Sequence, residues 1–147
     1  MKELLYLKDD QIKDCIQLLL YAYRETFSDP KHILKKNSMG AAHHRTLHLI
    51  ERNEGISVNE LLIKLKVTKQ SLNRVLQDLK KMKIIKQLKD NNDSRRKLLY
   101  LDQTVKKFYN EIFQSQKKRI FNALKNSDSD SGVKFKQVLE KIINGKK

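Results

Sequence analysis

Apolar residues recur along this chain at helical spacing, then in short extended runs, then at helical spacing again. Ile12, Ile16, Leu19, Leu20, Tyr23 and Phe27 share one face of a helix predicted over residues 10–27. Ser28-Asp29-Pro30 stops it, because proline disfavours helical geometry in the residue before it. A second helix is predicted over 41–52, with Ala42, Leu47 and Ile50 inward, ending where Gly55 can take the left-handed backbone that closes helices. Ser57-Val58-Asn59-Glu60 spells a capping box, in which Ser57 and Glu60 each satisfy the other's free backbone donor. It opens a short helix with Leu61, Leu62 and Leu65 inward. Only Lys66-Val67 then precede Thr68, the cap of a longer helix over 68–82 whose Leu72, Val75, Leu76 and Leu79 fall at i, i+3, i+4 and i+7. Two helices joined this tightly cross steeply, the layout of a helix-turn-helix whose second helix is presented outward.

The period then changes. Residues 84–89 and 95–101 read as two strands around the turn-rich loop 90–94, which makes a hairpin. A long helix follows from Asp102, carrying Val105, Phe108, Ile112, Ile120, Phe121 and Leu124, and a last one carries Phe135, Val138, Leu139, Ile142 and Ile143. The polar string 126–132 connects those two helices and is too short for a domain linker. The expectation is one mainly α-helical domain over 1–147. Its winged helix-turn-helix module, with a two-stranded β-wing, spans 38–101, between N- and C-terminal helices over 1–37 and 102–147.

Charge turns this outline toward a partner. Of 147 residues, 32 are Lys or Arg and 17 Asp or Glu, a formal charge of +15, which draws the chain to polyanions. Residues 57–101 hold 12 of the basic and 4 of the acidic side chains, so the module alone carries +8. The single cysteine excludes an intrachain disulfide and suits a reducing cytoplasm, and no apolar stretch is long enough to span a bilayer. Met1-Lys2-Glu3 lacks the layout of a signal peptide. No GxSxG, Walker or HExxH sequence is present, so no catalytic residue, metal or cofactor is expected and an enzyme is disfavoured.

The helix over 68–82 leaves Lys69, Gln70, Asn73, Arg74 and Gln77 opposite its apolar stripe, with Thr68 and Ser71 at its start. Arginine pairs bidentately with guanine, and Asn or Gln with adenine, in a major groove wide enough for one helix. Gln70, Asn73 and Arg74 are therefore expected to discriminate bases, while Lys64, Lys69 and Lys97 neutralise phosphates. At the hairpin tip Arg95 and Arg96 are suited to the minor groove, with Asp93 orienting Arg95 through a charge-assisted bond.

These blocks resemble the MarR-type winged-helix transcriptional regulators of bacteria and archaea. The likeness rests on Gly40-Ala41-Ala42-His43-His44-Arg45, on Val67-Thr68-Lys69-Gln70-Ser71-Leu72-Asn73-Arg74, and on the Asp93-x-Arg95-Arg96 wing. The AHHR and TKQSL strings resemble the PetP-like branch. The resemblance implies a cytoplasmic homodimer joined through its first and last two helices, binding double-stranded DNA at a pseudo-palindromic operator with two recognition helices and two wings. It also implies that Tyr21, His43, His44 and His48 border a cleft where a small-molecule effector relieves binding. Two departures stand out: Lys83 occupies a position commonly glycine, and Asp102 one commonly threonine, which it can replace as a cap.

His44 and His48 lie one helical turn apart, but two ligands do not make a metal site, and hydrogen-bonded or solvated histidines are expected. OhrR-like relatives carry a reactive cysteine in the first helix near tyrosines, as Cys15, Tyr21 and Tyr23 would allow; its place beside Ile12 and Ile16 predicts a buried, unreactive thiol instead. Two rivals to a sequence-specific regulator remain open: a sequence-indifferent nucleoid-associated or RNA-binding protein, and a protein-interaction module.

Overall fold

The computed structural model describes residues 8–145. Along them run α1 (Asp9–Ser28), α2 (Lys31–Lys36), α3 (Ala41–Arg52), β1 (Ile56–Ser57), α4 (Val58–Leu65) and α5 (Lys69–Lys81). There follow β2 (Ile85–Lys89), β3 (Lys97–Leu101), a 3-10 turn (Gln103–Val105), α6 (Lys106–Lys125) and α7 (Ser131–Ile143). The chain divides into two compact units, residues 30–113 and the described parts of 1–29 and 114–147. The module expected over 38–101 lies inside the first.

The 30–113 unit is built on a closed apolar core. Leu47 and Ile50 of α3, Leu61 of α4, Leu72 and Leu79 of α5, Leu99 of β3 and Ile112 of α6 are all fully buried. Ala42 is not among them: it is exposed, and His44 and Thr46 take the inward positions of α3 instead. An alanine offers a helix face almost no area to bury, so the larger side chains set its orientation.

The helix-turn-helix follows from its caps. The Ser57 hydroxyl accepts from the Glu60 N–H at 3.2 Å, which starts α4. Only this half of the capping box forms, because the Glu60 carboxylate is engaged by Arg96. Helix α4 ends at Lys66 in the left-handed region (φ 53°), and Thr68 opens α5 by accepting from the Ser71 N–H at 3.1 Å. The departure at Lys83 is real: its φ of 58° is left-handed, and the Ile84 N–H reaches back to the Leu79 carbonyl at 2.9 Å to close α5. A lysine there costs about 1 kcal/mol relative to glycine. Asp102 does cap the turn before α6, accepting from the Thr104 N–H at 2.9 Å.

The strands form one antiparallel sheet in the order β1-β3-β2, with Ile56 opposite Leu99 and Leu88 opposite Leu98. The hairpin β2–β3 is the expected ribbon, and β1 adds a third strand to its inner side. Gly55 enters β1 with φ 88°, its N–H bonded to the Leu99 carbonyl at 2.9 Å, so that a side chain there would be strained by the backbone, though it would meet Tyr100 only in ordinary contact. The short helix α2 and β1 are the two elements absent from the sequence reading.

The second unit holds α1, the later part of α6, and α7. The Arg119 guanidinium grips the Asp29 carboxylate through Nε at 2.6 Å and Nη2 at 2.8 Å, and Gln116 donates to the Thr26 carbonyl at 3.0 Å. These contacts fasten α6 to the end of α1. The apolar stripes themselves stay open: Ile16 and Leu20 of α1, Phe121 of α6, and Phe135, Val138 and Ile142 of α7 are half or more exposed.

Candidate nucleic-acid interface

Burial of Leu72, Leu76 and Leu79 fixes how α5 is rolled, and the roll turns Lys69, Gln70, Asn73, Arg74 and Gln77 outward, all exposed. Thr68 and Ser71 are committed to the cap: besides accepting the Ser71 N–H, the Thr68 hydroxyl donates to Ser71 Oγ at 2.8 Å. Lys64 is exposed in the last turn of α4.

The wing loop is held by its own aspartates. The Asp90 carboxylate accepts from the Asn92 N–H at 3.0 Å, and the Asp93 carboxylate from the Arg95 N–H at 3.0 Å. Asp93 thus orients Arg95 chiefly through the backbone turn; its contact with the guanidinium is 3.5 Å, at the limit of a hydrogen bond. The Arg95 side chain is 92% exposed. Arg96 behaves differently: its guanidinium meets the Glu60 carboxylate of α4 directly and lies 3.6 Å from Asp90.

Helix and wing face one groove. Lys69, Asn73 and Gln77 of α5 line it together with Arg95, Arg96 and Lys97 of the wing, and Ser57 and Asn59 join them from the start of α4. Gln70, Arg74, Lys64 and Ser71 lie outside this groove. The sequence reading passed over Asn59, Lys80 and Gln87, which also line it; Lys80 donates to Gln87 at 3.2 Å, tying α5 to β2. Lys80 was findable, since it continues the Lys69-Asn73-Gln77 stripe by one turn. Gln87 was not, because nothing in a five-residue strand marks which face meets a helix.

The three histidines have separate surroundings. His43 Nδ1 accepts the Gly40 N–H at 3.1 Å, so its proton sits on Nε2, which faces the Asp78 carboxylate of α5 at 2.9 Å. His44 is only 1% exposed, and burial, helped by the charges of His48 and Arg45, pushes its pKa down to about 4. His48 is also lowered by burial, and its Nδ1 lies 3.3 Å from the Tyr109 hydroxyl. Burial, with the Glu51 charge beside it, holds the Tyr109 phenol well above its ordinary value. Tyr21 belongs to the other unit, where the Arg24 guanidinium sits 4.6 Å over its ring.

Among the described residues no group of three or more His, Cys, Asp and Glu is placed to hold a metal ion, and no helix is long and apolar enough to cross a membrane. Cys15 is exposed, contrary to its expected burial, because the Ile12–Ile16 face beside it is itself uncovered.

Comparison with known proteins agrees with this geometry. The MarR family model matches residues 38–96. The HTH-type transcriptional regulator PetP of Rhodobacter capsulatus is 35% identical over 141 residues, covering 96% of this chain and 85% of that protein. Among solved structures, S. aureus MepR in its DNA-binding conformation has a TM-score of 0.75 at 18% identity, over 87% of this chain and 95% of that one. NadR in complex with 4-hydroxyphenylacetate has a TM-score of 0.75 at 21% identity, over 97% of each chain. At such identities these two structures establish the winged-helix fold.

Proposed function

The chain belongs to the MarR family of DNA-binding transcriptional regulators, and from that premise we propose that it acts as a homodimer on a pseudo-palindromic operator in the cytoplasm. The observation that carries this reading is the shared groove: the polar face of α5 and the tip of the wing open toward the same space. A duplex laid there meets Lys69, Asn73 and Gln77 within the groove, Gln70 and Arg74 on the exposed face of α5 outside it, and Arg95 in the adjacent minor groove. Lys64 and Lys97 take phosphates, Thr68 and Ser71 hold the helix start against the backbone, and Asp93 fixes the turn that presents Arg95. The dimer is supported by the uncovered apolar faces of α1, α6 and α7, which are too extensive for a lone chain to leave in water.

Relief by a small molecule is the further part of the proposal. NadR, of the same fold, was solved with 4-hydroxyphenylacetate. Within the 30–113 unit, His48 beside the Tyr109 hydroxyl, with His43 and His44 on the same helix, supplies aromatic and hydrogen-bonding groups for such a ligand. A ligand that binds one dimer geometry better than another shifts the population away from DNA-competent spacing.

The test is competitive binding. The full chain selects an operator from a random duplex library, and that operator is then competed against random duplex. A preference of at least ~10³ is expected of a specific regulator, and less than about tenfold would mark a sequence-indifferent binder. Arg74→Ala should cost about 1–3 kcal/mol at one base position and leave the others unchanged.

A further inference from the structure

A shared groove works only if the wing keeps a fixed distance from the helices, and beyond Leu98, where β1 stops pairing, the wing is a two-stranded ribbon with little stiffness of its own. Resting on the DNA-binding reading above, we propose that Arg96 is a positioning residue, a guanidinium strap from the wing to Glu60 that sets the width of the DNA-binding groove, while Arg95 is the wing side chain that meets DNA. Four observations place the strap.

Arg96 is anchored at both backbone groups: its N–H donates to the Asp93 carbonyl and its carbonyl accepts from the Asp90 N–H, each at 2.9 Å. Its side chain is 46% exposed, half the exposure of Arg95, and it lies between two carboxylates, Glu60 on α4 and Asp90 in the wing loop. Asp90 is largely covered, at 15%. Finally, Glu60 is itself held in place by the first turn of α4, its N–H bonded to Ser57.

A guanidinium between two carboxylates has little net charge to offer a phosphate, and a phosphate reaching it would have to displace Glu60 while facing both acids. The more open wing guanidinium is that of Arg95, 92% exposed and paired only at 3.5 Å with the Asp93 of its own turn. Glu60 also makes little sense as an isolated charge: it lines the hollow beside the groove, with Asn59, Arg95 and Arg96, and a carboxylate that near a bound polyanion repels it unless it does something else. Positioning the wing is that other task.

This gives a test in which the two explanations differ in sign. Affinity of the full-length chain for its selected operator is measured across a series of salt concentrations, for the wild type, Glu60→Ala, Glu60→Gln, Arg96→Gln and the Glu60→Ala/Arg96→Gln pair. If Glu60 acted only through its charge, removing it would tighten binding. The strap predicts instead that Glu60→Ala weakens binding by about 2- to 30-fold, one exposed ion pair's worth in each of two wings. Glu60→Gln, which keeps an acceptor, falls between. Arg96→Gln weakens binding by a similar factor with an unchanged slope of log affinity against log salt, and the pair is no weaker than the worse single variant.

Glu60→Ala binding as tightly as wild type, or tighter, overturns the strap. So does a slope that falls by about one unit per wing, about two for the dimer, in Arg96→Gln, which would make Arg96 an ordinary phosphate contact and leave the DNA-binding reading standing. Failure of the wild type to prefer any duplex would overturn that reading itself, and the strap with it.

Discussion

The 30–113 unit and the helical unit outside it solve the same problem in opposite ways. Every buried hydrophobic side chain among the described residues, from Leu34 to Ile112, belongs to the first. In the second, side chains of the same kind stand on three amphipathic helices with their apolar faces open, and the contacts that hold α1 to α6 are polar, Asp29 with Arg119 and Thr26 with Gln116. One unit closes its core within a single chain; the other leaves its apolar faces uncovered. On the proposed reading the difference divides the work: the closed unit would carry the DNA-reading groove, and the open one would supply the dimer contact.

The contrast can be broken most sharply in the helical unit. Phe121→Asp puts a charge on its open face, where burial against a second copy would cost several kcal/mol; sedimentation at micromolar concentration should move from a species of twice 17.4 kDa to one of 17.4 kDa. A variant that stays doubled would place the interface elsewhere. Leu61→Ala, at a fully buried position of the other unit, should cost about 2–5 kcal/mol in urea unfolding. Because it damages a core formed within one chain, the loss should persist in the Phe121→Asp background.

Acid should separate the units next. His44 has a folded pKa of about 4, below the ordinary value of about 6.5, so on acidification the unfolded chain binds the proton first. Its contribution is complete above about pH 6.5 and falls by roughly 2 kcal/mol by pH 5. His48 is shifted the same way. In the helical unit Asp29 is lowered, chiefly by its hydrogen bonds from Arg119, so what it contributes is lost only below the ordinary carboxylate range. Unfolding followed at pH 7, 6 and 5 should therefore show the 30–113 unit weakening first, and His44→Asn should remove most of that slope. The smallest effect is a gain: Lys83→Gly relieves a left-handed φ of 58° and should raise stability by about 1 kcal/mol. No gain in the unfolding midpoint would mean that the lysine side chain compensates its backbone.

Most of the fold could be read from periodicity, because the long amphipathic helices each repeat their apolar stripe several times. Helix α5 is the clearest case: Leu72, Leu76 and Leu79 fix its roll, and the roll fixes which polar side chains face out. Helix α2, with six residues, and β1, with two, are too short to show a period. β1 exists only through its pairing with Leu98 and Leu99, some forty residues away. The same distance hid the fine structure of the interface. Glu60 reads locally as half of a capping box, but its partner, Arg96, is 36 residues further on. His43 reads only as a hydrogen-bonded or solvated histidine, and its partner, Asp78 of α5, lies 35 residues away. Local rules predict what a side chain can do, and long-range packing decides between the options.

The strand order has one more consequence. With β3 in the middle, β2 is left as the outer margin of the sheet, and it carries Lys86 and Lys89. A bare margin is a template on which a foreign strand can zip, and lysines there make stacking copies repel one another. Lys86 and Lys89 thereby guard the open edge of the ribbon against pairing with a second copy of itself.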